Sequence, residues 1–401
     1  ALVQERSLRL TLGSSFKPGL NDLVQAQAEE FGRQHNARMS VEFATVQDLP
    51  TKAATAAEAG AGPDVMALVS AGPYLLAEEL VDVSDVVAAI TAAEGDLHEI
   101  ATPSARVGDV WKAVPHLFQP NMIAYRRDLF EQVGAAAQPA TWEELASVGA
   151  QFRAQELPPI GFALGHAVND ANIFVYSVLW AYGASDVGED GTTVTINSPE
   201  TVAAIEYMQS LYESAMDSSV LSWDDASNNQ AFLAGQLAAT NNTPTIYAAA
   251  AERAPEVREQ TSHFLFPEGP AGRKIFLAAD TQGIFRYSTE QELAKEYLKY
   301  VHAEAQLRPY LADGEAVLMP YLRKYDDDPE MPWNTDPNLA AAVDVAENSQ
   351  VLGYPGPPTR AAAEAINRFI VIDMFARATQ GESPQEAIAW AEEQLNQIYG
   401  A

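Results

Sequence analysis

The sequence contains no cysteine among its 401 residues. Disulfides, thiol nucleophiles and thiolate metal sites are therefore excluded together, and the redox compartment is left open. Basic residues are also scarce, because 24 Lys and Arg face 55 Asp and Glu and give a formal net charge of −31. A chain this acidic repels phosphate backbones and anionic lipid headgroups, so we expect no nucleic acid partner.

Long apolar runs are missing as well. No window of about 18 apolar residues occurs, and the sequence therefore predicts no membrane-spanning helix. The residues that follow Ala1 show neither the basic n-region nor the apolar h-region of a signal peptide. Two interpretations stay open at this point: a cytosolic protein, or an exported protein whose signal was removed before residue 1.

Sequence motifs for common catalytic and cofactor sites are absent. There is no Walker loop, no Gly-x-Gly-x-x-Gly fingerprint and no Gly-x-Ser-x-Gly elbow, and the six histidines lack metal-ligand spacing. We therefore expect no cofactor, no metal and no catalytic residues. A glycoside-processing enzyme stays open as an alternative, since paired carboxylates are always available among 55 acidic residues.

The length and composition favour two domains. Single hydrophobic cores stop growing near about 250 to 300 residues, and 47% of this chain is hydrophobic, which is enough to fill two cores. Leu8, Leu10 and Leu12 alternate with polar residues, residues 20–34 have helical spacing, and the apolar run 65–69 is typical of a strand buried in a parallel sheet. This order predicts a doubly wound α/β architecture.

Capping motifs predict where several later helices begin. A hydroxyl residue followed three positions later by Glu is typical of a helix N-terminus, and Pro is favoured at the first helical position. The pairs are Thr141 with Glu144, Thr289 with Glu292 and Ser383 with Glu386, and Pro199 follows Ser198 in the same way.

A series of short strings, spread over nearly the whole chain, resembles the family 1 extracellular solute-binding proteins of ABC transporters, which include sugar- and maltodextrin-binding receptors. Each string by itself is explicable as a cap, a turn or an amphipathic helix. Their order and spacing carry the resemblance. They include Gly62-Pro63-Asp64-Val65, Ile123 to Phe130, Ala140 to Leu145, Ser198 to Val202, Ala231 to Gln236, Phe266 to Gly272, Ala294 to Tyr300 and Gly381 to Ala387.

The resemblance implies a two-lobed periplasmic-binding-protein fold of the Venus-flytrap type, in which each lobe is a doubly wound sheet with flanking helices. By position, one lobe should hold residues 1–116 and 281–325 and the other residues 117–280 and 326–401, with hinge crossings near 116, 280 and 325. The family further implies an extracytoplasmic protein, periplasmic or anchored at the cell surface. Its partners would be the ABC permease transmembrane subunits, and the protein would be a monomer without enzymatic activity.

The resemblance also implies ligand contacts on loops at the carboxyl ends of strands, where open α/β sheets bind ligands in any case. In the family the ligand is bound between the lobes. Tyr354 falls where the maltodextrin-binding member has an aromatic sugar platform. The residues expected to contact ligand are Ser14, Ser15, Phe16, Ser70, His116, Phe118, Gln119, Asn121, His166, Asn169, Asn242, Thr243, Asp280, Thr281 and Tyr354.

The residue types in these loops indicate the class of ligand. Amides and hydroxyls dominate, Asp170 and Asp280 are the carboxylates, and Lys17 lies at one margin. An anionic ligand would need a cation to avoid burying an unpaired charge. Few aromatic residues are present for a long polysaccharide, which would stack on several rings. We therefore expect a small neutral sugar or polyol, with a non-carbohydrate solute as the alternative.

Overall fold

The computed structural model describes residues 6–135 and 138–400, and in this part the chain forms two compact α/β units. Unit 1 comprises the described chain up to Gln119 together with Ala278–Thr335, and unit 2 comprises Pro120–Leu277 and the described chain from Asp336 onward. The crossings between units thus fall at 119/120, 277/278 and 335/336. The first two lie within four residues of the expected 116 and 280, and the third lies about ten residues after 325, so residues 326–335 belong to unit 1 and not to the other unit as expected. A hinge role for these crossings stays a prediction.

The described strands number thirteen. They are β1 Arg6–Gly13, β2 Ala37–Ala44, β3 Val65–Val69, β4 Arg106–Val107, β5 Val110–Trp111, β6 Val114–Gln119, β7 Met122–Arg126, β8 Ala239–Asn242, β9 Thr261–Phe264, β10 Ile275–Phe276, β11 Ala278–Ile284, β12 Met319–Pro320 and β13 Ser349–Gln350.

The described α-helices number eighteen. They are α1 Pro18–His35, α2 Leu49–Ala59, α3 Gly72–Leu75, α4 Ser84–Glu94, α5 Ala101–Ala105, α6 Arg127–Gln132, α7 Trp142–Ala154, α8 Asp170–Ala181, α9 Pro199–Ala215, α10 Ser227–Leu233, α11 Thr245–Arg253, α12 Pro255–Gln260, α13 Gln291–His302, α14 Glu304–Asp313, α15 Pro332–Thr335, α16 Arg360–Asn367, α17 Ile370–Thr379 and α18 Pro384–Tyr399. Short 3-10 helices cover Ala77–Glu79, Ser218–Ser222, Arg323–Tyr325, Ala340–Asp344 and Ala346–Asn348.

Unit 1 is built on one mixed sheet of six strands in the order β12-β6-β11-β3-β1-β2. Strands β1, β2 and β3 run parallel, as the β-α-β pattern predicts, and the alternating Leu8, Leu10 and Leu12 are buried. Strand β11 is antiparallel to both β3 and β6. The carboxyl ends of β1, β3 and β6 therefore meet at one edge of the sheet, together with the beginning of β11.

Unit 2 has a smaller sheet, in which β7 lies between β8 and β9 and is antiparallel to both. Its core contains the fully buried Trp142, whose ring packs edge-on against Phe162, Phe174 and Phe266. Residue Ile160 forms a parallel bridge with Ala239 at the start of β8. The chain that follows Ile160 therefore leaves this sheet at the same edge as the end of β8.

Helix starts agree with the capping motifs except in one case. Thr141, Ser198 and Ser383 accept from backbone N–H groups of the first turn, and Ser383 with Glu386 forms a complete capping box. Thr289 does not cap α13, which begins at Gln291 after Glu290. The Ser288 hydroxyl accepts from the Glu290 amide at 3.1 Å, so the turn before α13 is held by Ser288.

Asp64 joins three segments of unit 1 and provides a test of this packing. The side chain is 4% exposed, and its carboxylate accepts from the Arg9 amide at 2.8 Å and from the Ser288 hydroxyl at 2.8 Å. Asp64→Ala leaves these donors without a partner, so we expect a loss of about 3 kcal/mol in the free energy of unfolding.

Chemical denaturation of purified variants measures this loss. The matched control is Asp109→Ala, because the Asp109 side chain is fully exposed and pairs only with Arg106 at the surface. Its effect should stay within about 0.5 kcal/mol. Equal unfolding midpoints for the two variants would show that Asp64 does not hold the three segments together.

Candidate functional site

Several predicted residues of unit 1 lie close together, at the edge where strands β1, β3 and β6 end. The Ser14 amide donates to Ala44 at the end of β2 at 2.7 Å, and the Ser70 amide donates to Ala279 at the start of β11 at 3.1 Å. Ser70 has φ 49°, a backbone conformation that is strained for a residue other than glycine and that clusters at functional sites. Gln119 is the last residue of β6 and lies opposite Ala278.

Asp280 is the acidic group of this edge. It lies opposite Val69 and Leu117 in the sheet, and a Cβ added at Gly13 would lie 3.9 Å from its Oδ2. Its Oδ1 is shielded from solvent and has no hydrogen-bond partner among the described residues. Burial raises the pKa of the Asp280 carboxyl to about 7, and no ion pair joins this carboxyl to a Lys or Arg among the described residues.

The loop after β1 is held in place from within unit 1. The Ser15 amide donates to Asn21 Oδ1 at 2.7 Å, and the Ser14 hydroxyl accepts from Asn21 Nδ2 at 3.3 Å. Lys17 donates from Nζ to the Asp313 carbonyl at 2.7 Å and pairs with its carboxylate at 3.0 Å. Phe16, between them, is 45% exposed. An ordered loop thus displays an aromatic ring to solvent.

Three predicted residues of unit 1 have contacts inside the unit, and their role in ligand binding stays a prediction. Phe118 is buried in the core, edge-on to Tyr321. Thr281 is fully buried, and its hydroxyl donates to the Leu68 carbonyl at 3.1 Å. His116 packs on His302, with 3.2 Å between its Nδ1 and the partner Nε2. All three belong to strand interiors, where both sheet faces are covered.

Unit 2 brings three of its six predicted residues together at the end of β8. Asn121 precedes β7 and is buried beside Met122, whose register partner is Asn242. The Asn242 amide nitrogen donates to Asn229, and its Oδ1 accepts from the Thr245 hydroxyl at 2.8 Å. Thr243 Oγ1 lies 3.4 Å from Thr245 Oγ1. The end of β8 is therefore a network of amides and hydroxyls.

His166 and Asn169 lie on the loop that enters α8. His166 Nε2 lies 2.7 Å from Asp373 Oδ1, and its ring stacks on Phe369 with 4.3 Å between centroids and 13° between planes. Phe369 precedes α17 and has φ 57°, another strained conformation. Val168, on the same loop, is 44% exposed. Sequence reasoning missed Phe369 and Asp373, since only tertiary packing brings α17 to this loop.

Tyr354 lies elsewhere on unit 2. Its ring packs edge-on against Trp180, 5.4 Å between centroids, with Lys274 Nζ 5.5 Å from its centre. Trp180 is ten residues beyond Asp170 in α8, a distance of about 15 Å along a helix axis. The structure therefore separates Tyr354 from the loop of His166, and the aromatic ring beside that loop is Phe369.

Carboxyl groups also line the entry to α8. Burial and the nearby charge of Asp225 raise the pKa of Asp170 to about 8. No ion pair links either carboxyl to a Lys or Arg in the described chain. Groups of three or more His, Asp or Glu placed to hold a metal do not occur in that part either.

Comparison with known proteins identifies the family. The sequence pattern of the bacterial extracellular solute-binding proteins matches residues 14–307, about three quarters of the chain. The chain belongs to this family. The expected family and the two-lobed α/β fold are thereby confirmed, and solute binding is the function that the family shares. Within residues 6–135 and 138–400, no helix combines the length and hydropathy needed to cross a bilayer.

Individual relatives share the fold at low identity. A Deinococcus radiodurans protein named "Probable ABC transporter-binding protein" is 24% identical over 345 residues, 84% of this chain and 80% of that protein. Maltose-bound MalE3 of T. maritima superposes with a TM-score of 0.80 at 22% identity, covering 98% of this chain and 99% of that one. A laminaribiose-bound sugar transporter of Arthrobacter chlorophenolicus gives 0.81 at 17%, with 98% and 99% covered.

The His116–His302 pair predicts how stability depends on pH. Burial lowers the pKa of both imidazoles, and for His116 the second cause is the charge of His302. The unfolded chain therefore binds protons at a higher pH than the folded one. The pair's contribution to stability is complete above the unfolded pKa near 6.5 and is lost as the pH falls below it.

Replacing one partner should reduce this loss. Between pH 7.5 and 5.0, we expect the free energy of unfolding to fall less steeply in His302→Phe than in the wild type, by at most about 1.4 kcal/mol per pH unit below 6.5. Urea unfolding at both pH values measures the difference. Parallel slopes for the two proteins would mean that folding does not lower the pKa of His302.

Proposed function

We propose that this solute-binding protein binds a small neutral carbohydrate or polyol and delivers it to an ABC permease, without catalysing a reaction. The observation that carries the proposal is the chemistry of the strand-end loops. Each unit offers buried hydrogen-bond acceptors without a partner in the described chain, namely Asp280 Oδ1 in unit 1 and the side-chain oxygens of Asn172 and Asn241 in unit 2. Each also offers an exposed apolar side chain, Phe16 or Val168.

Sugars match this combination of groups. Their hydroxyls donate to carboxylate and amide oxygens, and their C–H faces pack on apolar and aromatic surfaces. The relatives with solved structures include proteins bound to maltose, tagatose and laminaribiose, which supports a sugar ligand here. We propose that Ser70, Gln119 and Asp280 contact ligand in unit 1, and that His166, Asn169 and Phe369 contact ligand in unit 2.

The proposal extends to location and partners. A bacterial extracellular family and a relative named for an ABC transporter support a protein that works outside the cytoplasm with permease subunits. A periplasmic or surface-anchored form and a monomeric state are parts of the proposal. A ligand shifts such a receptor between states only through its different affinity for them.

A thermal-shift screen tests the ligand class. We expect neutral mono- and disaccharides or polyols to raise the melting temperature, since a ligand at a hundredfold its Kd adds about 2.7 kcal/mol of stability. Amino acids and oligopeptides serve as comparison ligands. Chromatography of the incubated sugar should recover it unchanged. Stabilisation by peptides alone would contradict the ligand class, and released products would contradict the absence of catalysis.

Aromatic substitutions test the site itself. Phe369→Ala and Phe16→Ala should each weaken binding of the tightest neutral ligand by about tenfold, because each removes a stacking surface of roughly 1.5 kcal/mol. Tyr354→Ala is the matched control, since its ring lies near the far end of α8, and its Kd should stay within about twofold. Isothermal titration calorimetry measures all three. A large effect of Tyr354→Ala with none for Phe369→Ala would move the site to the other end of α8.

A further inference from the structure

The beginning of α8 in unit 2 is occupied by a carboxylate of the protein itself. Asp225 Oδ1 accepts hydrogen bonds from the Asn169 amide at 3.0 Å and from the Asp170 amide at 2.9 Å. The first amides of a helix have no partner within the helix and attract anions, helped by the helix dipole. In this helix Asp225 already binds two of those amides, so these two are not free to bind an anionic ligand.

Two side-chain oxygens near this end of α8, those of Asn172 and Asn241, lack a donor in the described chain. Asn241 Nδ2 donates to the Asp170 carbonyl at 3.0 Å, which holds the amide beside the first turn. Its Oδ1 is fully buried and has no hydrogen-bond partner among the described residues, and Asn172 Oδ1 is in the same condition. A buried acceptor without a donor is unfavourable. Groups that donate hydrogen bonds are therefore favoured at this end of the helix.

Negative charge at this end of α8 also favours neutral hydrogen-bond donors over anions. Asp170 and Asp225 lie close enough for the charge of Asp225 to act on the Asp170 carboxyl, and neither is paired with a Lys or Arg within the described residues. A ligand carboxylate or phosphate at this turn would face like charge in a poorly solvated setting. Juxtaposed like charges across an interface strongly suppress binding.

We propose that Asp225 is a specificity-determining residue that makes this end of α8 accept the hydroxyl groups of neutral sugars and reject sugar acids and sugar phosphates. The inference rests on the proposed function, because it takes the loop before α8 to contact the ligand. Asp225 acts in two ways: it occupies the amides that would bind an anion, and it supplies a negative charge beside the acceptors.

Paired neutral and acidic sugars test this role. We would titrate the wild type, Asp225→Asn and Asp224→Asn with D-glucose and D-glucuronate, and with D-galactose and D-galacturonate, by calorimetry. Asp225→Asn keeps an oxygen for the two amides and removes the charge. Asp224→Asn removes the same charge one residue away, where Asp224 is exposed and accepts only from Ala226 and Ser227.

We expect the wild type to bind each uronate at least about a hundredfold more weakly than its neutral partner. Asp225→Asn should narrow this ratio by about tenfold, mainly by gaining uronate affinity, while Asp224→Asn should leave it within about twofold. Asp225→Ser is a second uncharged variant, and melting curves confirm that each variant is folded. An unchanged ratio in both Asp225 variants, or equal binding of uronate and neutral sugar by the wild type, overturns the proposal.

The two proposals fail differently. If the wild type binds none of the neutral sugars, including those of the thermal-shift screen, the proposed ligand class is wrong. Titration with the uronates still tests the role of Asp225. Tighter uronate binding by the Asp225 variants, but not by Asp224→Asn, supports this role, and unchanged uronate binding contradicts it.

Discussion

Buried acceptor oxygens without cationic partners are the constraint on which the candidate site depends. In unit 1 burial raises the pKa of Asp280 to about 7, and in unit 2 burial and the charge of Asp225 raise that of Asp170 to about 8. Nearby Lys or Arg side chains would lower both pKa values and form ion pairs with the two carboxylates. Without them, the groups stay available for a partner that donates hydrogen bonds.

The fold keeps these acceptors available by satisfying the surrounding donors internally. In unit 1 Asn21 takes the Ser15 amide, and Lys17 is committed to Asp313. In unit 2 Asp225 takes the first amides of α8. The backbone amides and the lysine named above thus already bind side chains of the protein. The groups left for a polyhydroxyl ligand are acceptors and apolar surface. The same arrangement explains why an anion would bind poorly.

The β-α-β start of unit 1 could be predicted because the spacing of Leu8, Leu10 and Leu12 is a local property. The ligand loops followed from the rule that strand ends meet at one edge, which holds for Ser14 and Ser70. This rule does not describe His116 and Thr281, which lie inside strands and form their contacts with other residues of unit 1. Phe369 could not be found from the sequence, because its contact with His166 joins segments about two hundred residues apart, and the length of α8 places Tyr354 away from them.

We propose that neutral hydroxyl groups bind to these acceptors in each unit. A crystal structure with the tightest-binding neutral sugar tests it most directly. We expect ligand hydroxyls within hydrogen-bond distance of Asp280 Oδ1 or of the amide oxygens beside α8, with a sugar face against Phe369 or Phe16. A ligand held through a carboxylate or phosphate by basic side chains, or bound away from both sets of loops, would contradict it.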